Sequence, residues 1–274
     1  MPITASQVND LRQKTGLGMM ECKKALEETG GDTQKAIDHL RTKGLAKMDG
    51  RTERASAEGR IAIALSPDKS KAAIIEVNTE TDFVAKNEKF LAMVQNVARL
   101  SLEQPAGAVT KTDAMQKDID DQRLTTKENV QFGRGKVLGA PGNVVGGYVH
   151  FTGKIGALVE LTAADPSVVS PELLADLCMH IVSGIPMVAM GVTEADIPAD
   201  LIEHEKQIAK AQAIEQGKPE NIAEKMVTGK IRKFLEDACL PLQPFVKDDK
   251  KKVKDILPKG VAIKSFVRFQ VGVK

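Results

Sequence analysis

Two stretches of this chain lie on one another without a gap, 84 residues apart: IAIALSPDKSKAAIIEVN (61–78) and VGGYVHFTGKIGALVELT (145–162). Ile74, Ile75, Glu76 and Val77 fall on Leu158, Val159, Glu160 and Leu161. In the first copy, RIAIAL (60–65) and KAAIIEVN (71–78) are β-branched-rich runs, and SPDKS between them has hairpin-turn chemistry. The helical period that follows repeats too. Phe90, Met93, Val94 and Val97 share one face, and Phe90, Met93 and Val97 fall on Leu174, Leu177 and Ile181. The repeat therefore predicts two copies of one hairpin-then-helix unit, each an α+β half with a helix on one sheet face.

The other segments are arranged around these halves. Residues 1–45 predict a three-helix, UBA-like N-terminal domain. Its inner faces carry Val8 and Leu11, then Cys22, Ala25 and Leu26, then Ala36, Ile37 and Leu40, with TGLG (15–18) a turn and Asp32 a cap. Residues 46–59 carry charge, Gly and Ser without apolar period and read as a linker that leaves the small bundle free to move. The first core half and its connector take 60–142, with a further strand expected near 129–138. The second half takes 143–196 and 258–274.

Residues 197–240 read as a protruding antiparallel coiled-coil hairpin. Ile197, Leu201, Ile208 and Ala211 form one stripe, and Ala223, Val227, Ile231, Phe234 and Ala238 the other. Gly217 ends the first arm and Pro219 opens the second. A C-terminal module, 241–257, includes a short basic helix around 251–257. A last strand follows, with Val261, Ile263, Val267, Phe269 and Val271 on one face. The fold class expected is α+β: a bundle, a two-lobed repeat core of antiparallel hairpins plus helices, a projecting hairpin and a C-terminal module.

Charge argues against a nucleic-acid binder, because 39 Lys+Arg against 37 Asp+Glu leave a net charge of only +2. No apolar run reaches the ~20 residues of a membrane span, and MPITASQVND lacks the basic flank and apolar core of a secretory signal. Cys22, Cys178 and Cys239 are scattered, form no CxxC, and read as small hydrophobes in helices. A cytoplasmic protein fits. GxxxxGK[ST], GxGxxG after a strand, HExxH and GxSxG are all missing from the sequence, and GRGKVLGAPG (133–142) has the wrong spacing for a phosphate loop. The reading is not an enzyme, with no catalytic residue, no cofactor, no metal and no nucleotide of its own. His180 reads as a structural histidine on a helix face, whereas His150, at a strand end before a Thr-Gly turn, can be a contact or plain surface.

One aromatic stands out. Phe83 sits in the polar run NTETDFVAKNEKF (78–90), in a chain with 8 Phe, one Tyr and no Trp. It can be a staple behind a Thr81 or Asp82 cap. The repeat argues otherwise, because Thr81, Asp82, Phe83 and Val84 become Asp165, Pro166, Ser167 and Val168 in the second copy. The unit folds without an aromatic here, which makes Phe83 a candidate binding residue. Met19 and Met20 are adjacent on a helix, so one must face outward as an adaptable contact or by chance.

LRQKTGLGMMECKKAL (11–26), EVNTETDFVAKNEKF (76–90), GKPENIAEKMVTGKIRKF (217–234) and QPFVKD (243–248) closely resemble the bacterial elongation factor Ts family, in order along essentially the whole chain. HFTGKIG (150–156) is similar to the family's histidine-bearing turn. The resemblance implies a guanine nucleotide exchange factor for elongation factor Tu, at work in protein biosynthesis. It implies that Thr81, Asp82, Phe83 and Val84 form a tip that enters Tu near its nucleotide and dislodges its magnesium ion. It implies that His150 wedges the same region, and that Met19 and Met20 grip another helix of Tu. Residues alone also leave open a helical-bundle interaction module or a ribosome-associated adaptor.

Overall fold

The computed structural model describes residues 3–49, 54–217 and 219–273. It is mixed helix and antiparallel sheet. Three helices open the chain: α1 (Ala5–Thr15), α2 (Met19–Glu28) and α3 (Thr33–Asp49). Thr4 and Gln7 form a capping box on α1, and Gly16 ends it in the left-handed region at φ 68°. Asp32 accepts the Lys35 N–H at 3.0 Å to start α3. Val8, Leu11, Cys22, Ala25, Leu26 and Ala36 pack together as expected, with Ile37 and Leu40 at the edge, and Leu17 of the expected turn joins them. α3 runs on to Asp49, into the stretch expected to be a linker. Of that stretch, 50–53 lie outside the described residues, and 54–57 are pinned rather than loose. Ser56 Oγ donates to Asn129 O, and Asn129 Nδ2 donates to Arg54 O, both at 2.8 Å.

The first half is a sheet in the order β1-β2-β4-β3, from β1 (Glu58–Leu65), β2 (Lys71–Thr79), β3 (Gly107–Ala108) and β4 (Gln131–Gly139). A one-turn helix α4 (Asp82–Ala85) and the longer α5 (Glu88–Leu102) follow β2. The expected strand near 129–138 is β4. The polar connector also holds a helix that the sequence reading left out, α6 (Asp113–Thr126). Its apolar positions are sparse. Met115 and Ile119 join Phe90, Met93 and Val97 under the sheet, while Leu124 inserts into the N-terminal bundle. α6 thus touches both the bundle, through Leu124, and the first half, through Met115 and Ile119.

The second half repeats the plan: β5 (Asn143–Val149), β6 (Ile155–Ala163), a 3-10 turn at Pro166–Val168, and α7 (Pro171–Ser183). β9 (Val261–Gln270) returns from the C-terminus to complete the sheet β5-β6-β9. Both sheets bear a bulge at the same repeat position, after Glu76 in β2 and after Glu160 in β6. The bulge corrects one expectation. It skips Lys264, so Val261 and Ile263 face the α7 core while Val267, Phe269 and Val271 face the other sheet. The two sheets pack face to face through Ile61, Ile74, Leu138, Val145, Leu158 and Phe269. The layers run helix, sheet, sheet, helix, and removing a core ring such as that of Phe90 would cost about 3–5 kcal/mol.

α8 (Ala199–Glu215) and α9 (Glu220–Ala238) form an antiparallel pair. On α8 the inner positions are Ala209 and Ala213, and the expected Ile208 and Ala211 point outward. The buried stripe on α8 thus passes through small residues, one position beyond Ile208 and two beyond Ala211. Cys22 and Cys178 are buried in helices, and Cys239 is buried one residue past α9. The lysines near 251 do not form the helix expected. β7 (Pro244–Phe245) pairs with β8 (Asp248–Lys252), and a 3-10 turn spans Val253–Ile256. Buried Val253 anchors that turn, donating its N–H to Gln243 O at 3.0 Å. Among the described residues no helix is long and apolar enough to cross a membrane.

Candidate functional site

Where β2 ends, the chain leaves the sheet on a single carboxylate. Glu128, just past α6, accepts from Thr79 Oγ1 at 2.7 Å, from the N–H groups of Glu80 and Thr81 at 3.1 Å, and from Thr81 Oγ1 at 2.6 Å. Charge-assisted bonds of this kind fix the turn. Thr81 Oγ1 also accepts the Val84 N–H at 3.4 Å and caps α4, and Asn87 caps α5 two residues after α4 ends. Ala85 is buried and Val84 packs on the core beneath α5. What remains points outward: the Phe83 ring is 84% exposed. That overturns the staple alternative, which needs the ring packed against the next turn. Asp82 pairs with Lys86 at 2.6 Å. The Lys86 ammonium, helped by Lys154, holds the Asp82 carboxyl below the usual carboxylate range.

Lys154 belongs to the other half. The β5–β6 turn reaches across to this corner, and Gly153, at φ 70°, accepts the Ile61 N–H at 2.8 Å. Arg60 fastens the two pieces together. Its Nε donates to Ala85 O at 2.8 Å and its Nη1 donates to Thr152 O. Lys154 and Glu58 pair at 2.6 Å beside it. His150 is half-buried, with Nδ1 3.1 Å from Thr152 Oγ1 and its ring against Phe151 at 4.3 Å between centroids. Phe151 is 88% exposed.

The structure therefore gathers Thr81, Asp82, Phe83, Val84 and His150 at one corner. Met19 and Met20 stand on the bundle, and both face outward, at 54% and 73% exposure. They are linked to the corner indirectly. Glu21, next on α2, pairs at 3.1 Å with Lys127, the neighbour of Glu128. Thr81 has its hydroxyl committed inside the molecule. Sequence reasoning missed Glu128, Arg60 and Phe151. Glu128 and Arg60 carry no local signal, since their partners lie 25 or more residues away. Phe151 did carry one, because the matching turn of the first copy has Pro67 in its place. His180 is buried, its Nε2 2.9 Å from Gln243 Oε1 and its Nδ1 accepting the Val246 N–H at 3.2 Å. Among the described residues no group of three His, Cys, Asp or Glu is placed to hold a metal ion.

Comparison with known proteins places this sequence in a family. The family model described as Elongation factor TS matches residues 80–273. The chain is 43% identical to elongation factor Ts of Alkalilimnicola ehrlichii over 280 residues, covering 99% of this chain and 93% of that relative. It is 44% identical to elongation factor Ts of Thioalkalivibrio sulfidiphilus over 281 residues, with the same 99% and 93% coverage. Elongation factor Ts of Methylococcus capsulatus is likewise 44% identical over 281 residues.

Proposed function

The chain belongs to the elongation factor Ts family and as such is a guanine nucleotide exchange factor for elongation factor Tu; we propose that the exchange work is done by the corner that presents Asp82, Phe83 and His150. The observation that carries this reading is the Phe83 ring, 84% exposed on a one-turn helix tied down at both ends. An aromatic held rigidly in water binds with little loss of conformational freedom. In this reading the tip enters Tu beside its nucleotide and dislodges the Mg²⁺ of Tu. The cation offsets phosphate charge, so disturbing its ligands loosens GDP.

The thermodynamics are those of linkage. A factor that binds nucleotide-free Tu more tightly than nucleotide-bound Tu weakens the nucleotide by the same ratio, and one that bound both equally would shift nothing. No bond is made or broken, so the corner needs no catalytic acid or base, no cofactor and no nucleotide of its own. Thr81 and Val84 serve by holding the tip. His150 supports the wedge from the second half, and Met19 and Met20, exposed on α2, grip a second part of Tu. We assign residues 1–45 to that grip, the two halves to the wedge, and 197–240 to a projecting antiparallel coiled coil. The work belongs in the cytoplasm, with neither nucleic acid nor membrane as a direct partner.

The test uses Tu preloaded with a fluorescent GDP analogue and chased with unlabelled GDP. Catalytic amounts of this protein should speed release, and the Asp82→Ala/Phe83→Ala variant, folded by circular dichroism, should not. Wild-type protein without effect would sink the exchange assignment. A fully active variant would move the work to His150 or the bundle.

A further inference from the structure

We propose that Phe151 is a second partner-contacting side chain of the exchange surface, standing with Phe83 as a two-ring wedge that enters apolar surface on elongation factor Tu. The inference rests on the reading that this corner engages Tu.

The chain has eight phenylalanines, and six of them are buried or half-buried. The two exposed ones are Phe83 at 84% and Phe151 at 88%. They come from different halves of the repeat, yet one side chain joins their supports. The Arg60 guanidinium donates to Ala85 O, two residues from Phe83, and to Thr152 O, next to Phe151. Two large exposed rings on segments joined by one guanidinium call for a common explanation, whereas single exposed apolar residues need none.

The fold does not need the second ring. The equivalent turn of the first half has Pro67 at this position and closes in the same way, with Lys69 left-handed at φ 56° where the second half has Gly153 at φ 70°. The ring is nonetheless held. The Gly153 N–H donates to His150 O at 2.7 Å, the His150 N–H donates to Ile155 O at 2.9 Å, and the His150 ring backs Phe151 at 4.3 Å. A ring that does nothing for its own core, mounted on a fixed turn beside the tip, suits an apolar slot on the partner. Such preorganised aromatics are the residue type that dominates interface energy.

The experiment measures GDP release from Tu with the full chain and the variants Phe151→Ala, Phe83→Ala and Pro67→Ala, together with their Kd for nucleotide-free Tu. Phe151→Ala should lower kcat/KM for exchange and raise Kd by about tenfold, with thermal unfolding unchanged. Pro67→Ala, on the matching turn of the other half, should leave both unaltered. Phe151→Ala equal to wild type, with Phe83→Ala impaired, overturns the inference and leaves the corner assignment standing. Phe83→Ala and Phe151→Ala both as active as wild type overturns the inference and leaves the work to His150 or the bundle. A His150→Ala background separates contact from positioning. If the Phe151→Ala loss persists there, the ring touches Tu itself; if it vanishes, the ring only orients the imidazole and the inference is overturned.

Discussion

The repeat gives this molecule two matching corners, and they are built alike but armed differently. At one, the Ile61 N–H donates to Gly153 O; at the other, the Val145 N–H, 84 residues on, donates to Lys69 O, and both bonds are 2.8 Å long. Each half thus reaches across to clasp the other with the same atoms. The difference is in what the clasp holds out. The first corner carries Phe83 on α4 and His150 and Phe151 on the turn. The second carries Ser167 on a 3-10 turn and Ser66 and Pro67 on the hairpin. Even the brace differs, since the position of Arg60 is taken by buried Val144. The two copies share the scaffold, and on the proposed reading the binding chemistry is written on one copy only.

The strongest way to break this comparison is to truncate what each corner carries. Phe83→Ala should lower exchange by roughly 30-fold or more, about 2 kcal/mol, the scale of an interface hot spot. Val168→Ala at the other corner should change it by less than about twofold, although Val168 is also exposed at 44%. Equal losses at both corners, measured as kcat/KM for GDP release, would show that the asymmetry has no functional meaning.

The corners also differ in how the turn after the sheet is held. The second is local: Asp165 Oδ1 accepts the Ser167 N–H at 2.9 Å and Ser167 Oγ at 2.7 Å. The first depends on Glu128, which lies 47 or more residues from each of its donors. Glu128→Ala should therefore destabilise the first half by about 2–3 kcal/mol in urea unfolding, since two backbone N–H groups lose a charged acceptor. Exchange should fall with it because the tip is no longer fixed. Asp165→Ala should cost about 1 kcal/mol and leave exchange intact. Full activity in Glu128→Ala would mean the tip needs no such support.

These contrasts mark what the residues alone could reveal. The hairpins, the helices behind them and the surplus status of Phe83 were legible because the repeat supplies an internal control at each position. α6 was not, since its apolar residues are few and Leu124 serves a different core from Met115 and Ile119. The face switch in β9 was not, because a bulge is set by pairing with a strand 100 residues away. The lysines near 251 mimic a helix face, but buried Val253 and the β7 pairing decide that segment. Glu128 and Arg60 act across distances at which no periodicity speaks. Phe151 was open to the same test as Phe83, since the other copy has Pro67 in its place.

The bundle has no second copy, and a smaller effect is expected from it. Met19→Ala/Met20→Ala should raise the Kd for nucleotide-free Tu by about fivefold, near 1 kcal/mol, because flexible thioethers give adaptable rather than anchoring contact. The melting temperature should not move, since both side chains face water. A loss as deep as that of Phe83→Ala, read by titration of nucleotide-free Tu, would move the centre of the interface onto the bundle.

The smallest effect concerns pH and again separates the halves. His180 falls on Asn96 in the first copy. Asn96 donates to Asp118 Oδ2 of α6 at 2.6 Å and does not titrate, whereas His180 is sealed under the C-terminal module. The Val246 N–H points at His180 Nδ1, so the proton sits on Nε2 and is given to Gln243 Oε1. A second proton would face a backbone donor. Burial pushes the imidazole below its ordinary 6.5, against a weaker upward pull from Gln243. With the folded value depressed, the unfolded chain takes up a proton first as pH falls below about 6.5, and stability is lost from there down to the folded value. The unfolding free energy should fall with pH once the pH drops below about 6.5, with a slope bounded by the one-proton limit of about 1.4 kcal/mol per pH unit. His180→Gln should be less stable at neutral pH yet lose that slope, which also separates it from His39, His150 and His204. Urea unfolding at pH 7.0 and at successive lower values decides the matter: an unchanged slope in the variant would place the pH sensitivity on groups other than His180.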